Sequence, residues 1–254
     1  MLIVIILDSC NNTIDFRTSV GLKPSLFMKY NFVTPSIFQH SSWGPLRFLM
    51  KIFCSLEIKG SENVENVKGN MIIASNHISE LDPMLIVSCL PFFSKHIPLY
   101  FVSLLKKEYP NGWRKLLYGG DFFRLMGAYP AYLGLKNYRE SLKHHLKLIS
   151  EGKNIVIFPM GKMHFEDGTG KAKGGAIFLA KENNLPIIPV SIRGIERLTF
   201  TDVLLRKRKL TVKFGKPIKL EDLLQEMCDI TNLDERSICE KAASILMEKI
   251  SKLA

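Results

Sequence analysis

The 254-residue chain contains no apolar run approaching the ~20 residues that a membrane-spanning helix needs. Its first seven residues, Met1 to Leu7, are apolar but lack a basic leading region and a small-residue cleavage site, so they read as neither a secretory signal nor a span. Cysteine is sparse, and Cys10, Cys54, Cys89, Cys228 and Cys239 show no metal-ligand spacing. No metal site is expected, and the thiols read as core or surface groups in a reducing compartment. Internal repeats and low-complexity stretches are absent. So are zinc-finger, RNP and helix-turn-helix signatures, which leaves nucleic acid without support as a partner.

What is present is material for a core. Hydrophobic residues make up 46% of the chain, enough for one large domain. Apolar, β-branched runs bounded by Gly or Pro predict strands over Met71 to Ser75, Leu99 to Val102, Asn154 to Phe158, Ile187 to Arg193 and Leu210 to Phe214. Helical spacing predicts helices over Pro83 to Leu90, Asn137 to Ser150 and Gly174 to Asn183. A helical tail follows over Leu220 to Met227 and Asp234 to Leu253, its apolar stripe expected to cover the flank of the sheet. Alternation of this kind predicts an α/β fold, a mostly parallel central sheet flanked by helices. Residues 1–57 read as an N-terminal appendage and 58–254 as the α/β domain. His144 and His145 fall in a basic helix and read as structural, with one of the two facing solvent.

The chain carries an excess of 11 positive charges, which asks for an anionic partner. Between Leu22 and Ile58 it mixes Phe27, Tyr30, Phe32, Phe38, Trp43, Phe48 and Phe53 with Lys23, Lys29, Arg47 and Lys51. Pro45 to Leu56 is nearly helical in its apolar spacing, the composition of an amphipathic helix lying in a headgroup region. Packing of that helix on the domain is the structural alternative. A second basic and aromatic cluster spans Lys106 to Lys115. Together they favour an anionic membrane surface, with the protein cytoplasmic and peripherally bound.

The most informative chemistry lies in Asn76-His77-Ile78-Ser79-Glu80-Leu81-Asp82, directly after the strand Met71 to Ser75. Ligands of open α/β sheets bind at the carboxyl ends of strands. A carboxylate holding one imidazole nitrogen fixes the tautomer and lets the other nitrogen act as a general base, so His77 and Asp82 form a candidate catalytic dyad. The competing reading takes Asp82, which precedes Pro83, as an ordinary helix N-cap.

Three further segments accompany that motif: Gly127-Ala128-Tyr129-Pro130, Phe158-Pro159-Met160-Gly161-Lys162 and Ile188-Pro189-Val190-Ser191-Ile192-Arg193-Gly194. In this order the four resemble the blocks of the glycerolipid acyltransferases, typified by 1-acylglycerol-3-phosphate acyltransferases, whose first block is Asn-His-x4-Asp. The resemblance spans roughly residues 55 to 216. It implies that His77 deprotonates an acceptor hydroxyl, with Asp82 orienting it. The oxygen then attacks the thioester of acyl-CoA or acyl carrier protein, without a covalent acyl-enzyme and without a cofactor. The acceptor implied is a lysophospholipid, 1-acylglycerol-3-phosphate foremost.

Departures from the pattern bear on that acceptor. Where the family has Glu and then Thr-Arg in its third block, this chain has Met160, Lys162 and Met163, and Leu133 stands where the second block ends in Arg. Those charged family positions are associated with the acceptor's phosphate. Lys162, Lys171, Lys173 and Arg193 are the cations available to replace them, lysine acting as a point charge without the bidentate fork of arginine. Asn76 and Gly161 complete the expected substrate-binding set. Two alternatives remain open: acylation of a different acceptor, with or without a phosphate, and an inactive lipid-binding member of the family.

Overall fold

A computed structural model describes residues 30–104, 120–132, 134–135, 137–161, 172–196, 201–202, 205–206, 208–227 and 233–253. Among the described residues, seven strands form one sheet in the order β1-β7-β6-β2-β5-β3-β4. They are β1 (Glu57–Lys59), β2 (Ile72–Ser75), β3 (Leu99–Leu104), β4 (Ala128–Ala131), β5 (Asn154–Ile157), β6 (Ile187–Arg193) and β7 (Thr211–Phe214). The run from β6 through β2, β5 and β3 to β4 is parallel, β7 is antiparallel to β6, and β1 follows β7. The mostly parallel α/β architecture is the one expected.

The central strands are buried on both faces, and their side chains are apolar apart from Ser75 at the end of β2 and Asn154 at the start of β5. Ile73, Val156, Ile188, Val190 and Ile192 face one core, closed by α1 (Val33–Cys54) and α3 (Asp82–Cys89). Ile72, Ala74, Ile155, Ile157 and Ile187 face the other, closed by α6 (Lys143–Ser150), α7 (Gly175–Asn183) and α9 (Glu235–Lys252). Ala242, Ala243, Leu246 and Ile250 of α9 are buried there, so the tail covers the sheet as its stripe predicts.

Helix α1 is longer than the sequence spacing suggests, reaching through Pro45, and it packs along α3. Met50 and Cys54 are buried in the core, Trp43 donates from Nε1 to the Leu90 carbonyl, and Arg47 donates to that of Ser88. The buried Gln39 donates from Nε2 to the carbonyls of Leu99 and Met126, while its Oε1 accepts from the Leu99 amide. The outward side of the helix leaves Val33, Ile37 and Phe48 exposed. Cys54, Cys89 and Cys239 are free and buried, whereas Cys10, Cys228 and the cluster Lys106 to Lys115 lie outside the described residues.

Three local expectations change. Asn137 to Ser150 is not one helix: Leu142, at φ −110° and ψ 18°, separates α5 (Tyr138–Ser141) from α6. Strands β1 and β4 escape the sequence pattern, one because it is short and polar, the other because it contains Pro130, which the sheet tolerates at its edge. Finally, neither His144 nor His145 faces solvent. His144 is hydrogen-bonded by its two ring nitrogens to the hydroxyls of Tyr30 and Tyr132, and His145 is fully buried.

Two glycines lie against the two ends of β7. Gly60 and Gly194 have φ of 74° and 92°, and a Cβ on either would collide with a backbone carbonyl, that of Phe214 or Lys209 respectively. Gly60→Ala and Gly194→Ala are each expected to lower unfolding free energy by about 2 kcal/mol or more, through strain and the forced backbone shift. Gly44, with nothing within 4 Å of its missing Cβ, should tolerate alanine within about 1 kcal/mol in the same urea titrations.

Burial pushes the His145 imidazole down from 6.5 to about 4, and moves His144 and His96 in the same direction. Between pH 6.5 and 4 the unfolded chain binds a proton at His145 that the folded chain refuses. Stability should therefore fall as pH drops through that window, by up to about 3 kcal/mol from this ring alone. Urea midpoints measured across it should show a shallower slope for His145→Gln than for the wild type.

Candidate functional site

Strand β2 delivers the site. After Ser75 the chain leaves the sheet, and Asn76 clasps the neighbouring strand: its Nδ2 donates to the Ile192 carbonyl at 2.8 Å and its Oδ1 accepts from the Ile192 amide at 2.8 Å. That pair of bonds fixes the take-off of the loop from β2 against β6. Asn76, expected to contact substrate, has its carboxamide joined at both ends to strand backbone.

His77 follows, with its side chain 21% exposed, and its Nδ1 lies 2.8 Å from Oδ2 of the fully buried Asp82. The same oxygen accepts from the amides of Ile78 at 2.7 Å and Ser79 at 2.9 Å. Three donors converging on one oxygen hold the carboxylate in place, and its position at the start of α3 adds the favourable end of the helix dipole. Asp82 turns back onto its own loop. It does not cap α3, for its recorded bonds go to residues upstream, and the N-cap reading gives way to a dyad. With Asp82 accepting from the Nδ1 proton, Nε2 of His77 is left with a lone pair for an incoming proton.

The other face of the geometry comes from β5. Ile157 is in register with Ala74, so Phe158 arrives beside the end of β2. Its ring stacks on His77 with centroids 4.2 Å apart and an interplanar angle of 21°. The imidazole is thus held at its edge by Asp82 and across its plane by Phe158. Sequence reasoning quoted Phe158 within the third block without giving it a role; the strand register is the signal that identifies it.

Phe158 leads into a turn at Pro159, Met160 and Gly161. Gly161 has φ of 65°, and its missing Cβ leaves room for Lys173, whose Nζ lies 3.0 Å from where that carbon would sit. The Lys173 amide donates to the Pro159 carbonyl at 2.8 Å, which closes the turn. Met160, where the resembled family has Glu, is buried. Gly161 and Lys173 are therefore brought together on the residue run that carries the stacking ring. Lys162 and Lys171 lie outside the described residues, as do Leu133 and Met163.

Arg193 is placed differently. Alternate residues of β6 face opposite sides of the sheet, and Ile188, Val190 and Ile192 belong to the core under α1 and α3. Arg193 consequently opens onto the other side, in a groove with Glu57, Lys59, Ser191, Thr211 and Lys213. It reaches the same sheet edge as His77 but not the same face. Among the described residues no three His, Cys, Asp or Glu side chains gather as metal ligands.

A family model described as Acyltransferase matches residues 55–193, which include the dyad, the stacking phenylalanine and all of β6. A probable 1-acyl-sn-glycerol-3-phosphate acyltransferase of Mycoplasma pneumoniae is 29% identical over 148 residues, covering 55% of this chain and 52% of that protein. The chain thus spans about half the length of that relative. A 1-acyl-sn-glycerol-3-phosphate acyltransferase of Borreliella burgdorferi is 25% identical over 203 residues, 77% of this chain and 70% of the other. In fold, the chain is similar to the crystal structure of the 1-acyl-sn-glycerophosphate (LPA) acyltransferase of Thermotoga maritima. Their TM-score is 0.54 at 18% identity, over 85% of this chain and 79% of that one. A dyad built at a strand end, in a segment that the family model matches across more than half of the sequence, leads to one conclusion: the chain belongs to the acyltransferase family.

Proposed function

We propose that this protein moves a fatty acyl group from a thioester donor, acyl-CoA or acyl carrier protein, to a hydroxyl of a lysophospholipid-type acceptor in phospholipid synthesis. The observation that carries this reading is the His77 ring, held by Asp82 at Nδ1 and without a partner at Nε2 among the described residues. The names of the relatives point to 1-acylglycerol-3-phosphate as the acceptor.

The reaction needs one proton to move twice. Nε2 of His77 takes the proton of the acceptor hydroxyl as its oxygen attacks the thioester carbonyl, and Asp82 stabilises the imidazolium that forms. Collapse of the tetrahedral intermediate breaks the carbon–sulfur bond, and the departing sulfur receives the proton from Nε2. An ester and a free thiol result. Phe158 keeps the ring from rotating out of line, and Lys173, folded over Gly161, offers a cation to the acceptor phosphate from the same turn.

Access to a lipid substrate is supported by α1. Among the described residues no helix is long and apolar enough to cross a membrane. The exposed Val33, Ile37 and Phe48 instead form an outward stripe on a helix whose other side is packed on the domain. In this reading the stripe lies in the interface of an anionic bilayer on its cytoplasmic side.

Purified protein is expected to acylate lysophosphatidate with labelled acyl-CoA or acyl carrier protein. His77→Ala should cost about 10³-fold or more in kcat, the scale of a lost general base. Asp82→Asn should cost about 10²-fold while leaving the melting temperature near that of the wild type. Wild-type turnover that survives His77→Ala overturns the mechanism; binding of lipid with no turnover in either form favours the inactive lipid-binding alternative.

Ile37→Glu and Phe48→Glu should each weaken sedimentation with vesicles containing anionic lipid by about tenfold, as expected for removing one large apolar contact. Both positions face solvent, so urea midpoints should stay unchanged.

A further inference from the structure

The groove that holds Arg193 is built as two rows across three strands. Glu57, Thr211 and Arg193 are in register across β1, β7 and β6, and Lys59, Lys213 and Ser191 form the next row. All six side chains line one concavity. Its one carboxylate among the described residues is already paired: hydrogen bonds from Lys59 and then Lys209 hold the Glu57 carboxyl below its usual range. Lys213 and Arg193 have no carboxylate partner among the described residues, and Arg193 makes only a 3.4 Å contact with the Ser251 carbonyl at the end of α9. The result is a cationic depression with two hydroxyl donors, Ser191 and Thr211, between its charges.

Its position relative to the dyad is fixed by the Asn76 clasp. His77 follows Asn76 and Arg193 follows Ile192, so each stands one residue beyond the same pair of hydrogen bonds, on opposite faces of one sheet edge. A ligand whose anionic end lies in the groove can pass over that edge and present a reactive end to His77. We propose that the groove binds the phosphate groups of a nucleotide-bearing thioester donor, with Lys213 and Arg193 as its principal cations. The chemistry fits on three counts. The concavity suits a compact polyanion better than the broad face of a carrier protein. Hydroxyl donors between cations suit phosphate oxygens. The flexible pantetheine arm separates phosphates from sulfur, as a site on the far side of the edge requires. Only the identity of the ligand rests on the acyl-transfer reading; the groove itself does not.

The test is binding of adenosine 3′,5′-bisphosphate to the full chain by calorimetry at two salt concentrations, with melting temperatures recorded for every variant. Wild type is expected to bind, more weakly at high salt. Lys213→Glu and Arg193→Glu should each reduce affinity about tenfold or more, whereas Lys68→Glu, an exposed lysine at the opposite sheet edge, should leave it unchanged. His77→Ala should retain binding, so turnover that survives this substitution, with binding intact, faults the dyad mechanism and leaves the groove standing. The proposal is overturned by absent binding in wild type, by equal binding in the groove variants, or by an equal loss in Lys68→Glu. It is equally overturned if Arg193→Glu lowers only the melting temperature, which would make Arg193 a cap for α9 alone. Tighter binding of lysophosphatidate vesicles, inorganic phosphate or acyl carrier protein than of the bisphosphate, lost in the same variants, would assign the groove to another ligand and also overturn it.

Discussion

Oδ2 of Asp82 is the point on which the site turns. It accepts from a ring nitrogen and two amides within a loop of six residues, and it does so from full burial at the start of α3. Because the amides of Ile78 and Ser79 are committed to it, the loop has one conformation in which all three donors are satisfied. His77 is carried along by that constraint. A histidine at the same place in sequence without the carboxylate would sit on a loop with two unpaired amides and a freely turning ring.

The sheet supplies the second level of order. Asn76 binds β6, Phe158 comes from β5, and both strands flank β2, so the imidazole is surrounded by contributions from three adjacent strand ends. This is the arrangement that open parallel sheets offer at their carboxyl edge. Asp82 and the Asn76 clasp belong to a different strand end from the turn at Met160 and Gly161, so the bonds that hold His77 at Nδ1 do not pass through that turn.

Much of this was legible in the sequence, and the unread parts have physical reasons. Strands such as Ile72–Ser75 declare themselves because burial on both faces favours a short, nearly continuous apolar run. The spacing of His77 and Asp82 could not distinguish a dyad from an N-cap, since both place a carboxylate beside the first turn of a helix. Only the direction of its hydrogen bonds decides. Strand β1 is polar because one of its faces is the open groove, and Pro130 disguises β4 because sequence alone does not say which strand lies at an edge. His144 and His145 fit a basic, solvated helix until Leu142 breaks it and both rings turn inward. The face occupied by Arg193 was in principle readable, for the alternation along Ile188, Val190 and Ile192 already assigns Arg193 to the other side.

Gln39 ties α1 to the sheet by two bonds of fixed direction to Leu99, and a third reaches Met126 just before β4. An apolar contact resists separation but slides easily, whereas hydrogen bonds to backbone resist displacement along the helix axis as well. Any sideways drag on the outer surface of α1 is therefore delivered directly to the first residue of β3. The helix behaves as a handle bolted to the sheet, so the direction of its axis is coupled to that of the strands behind it.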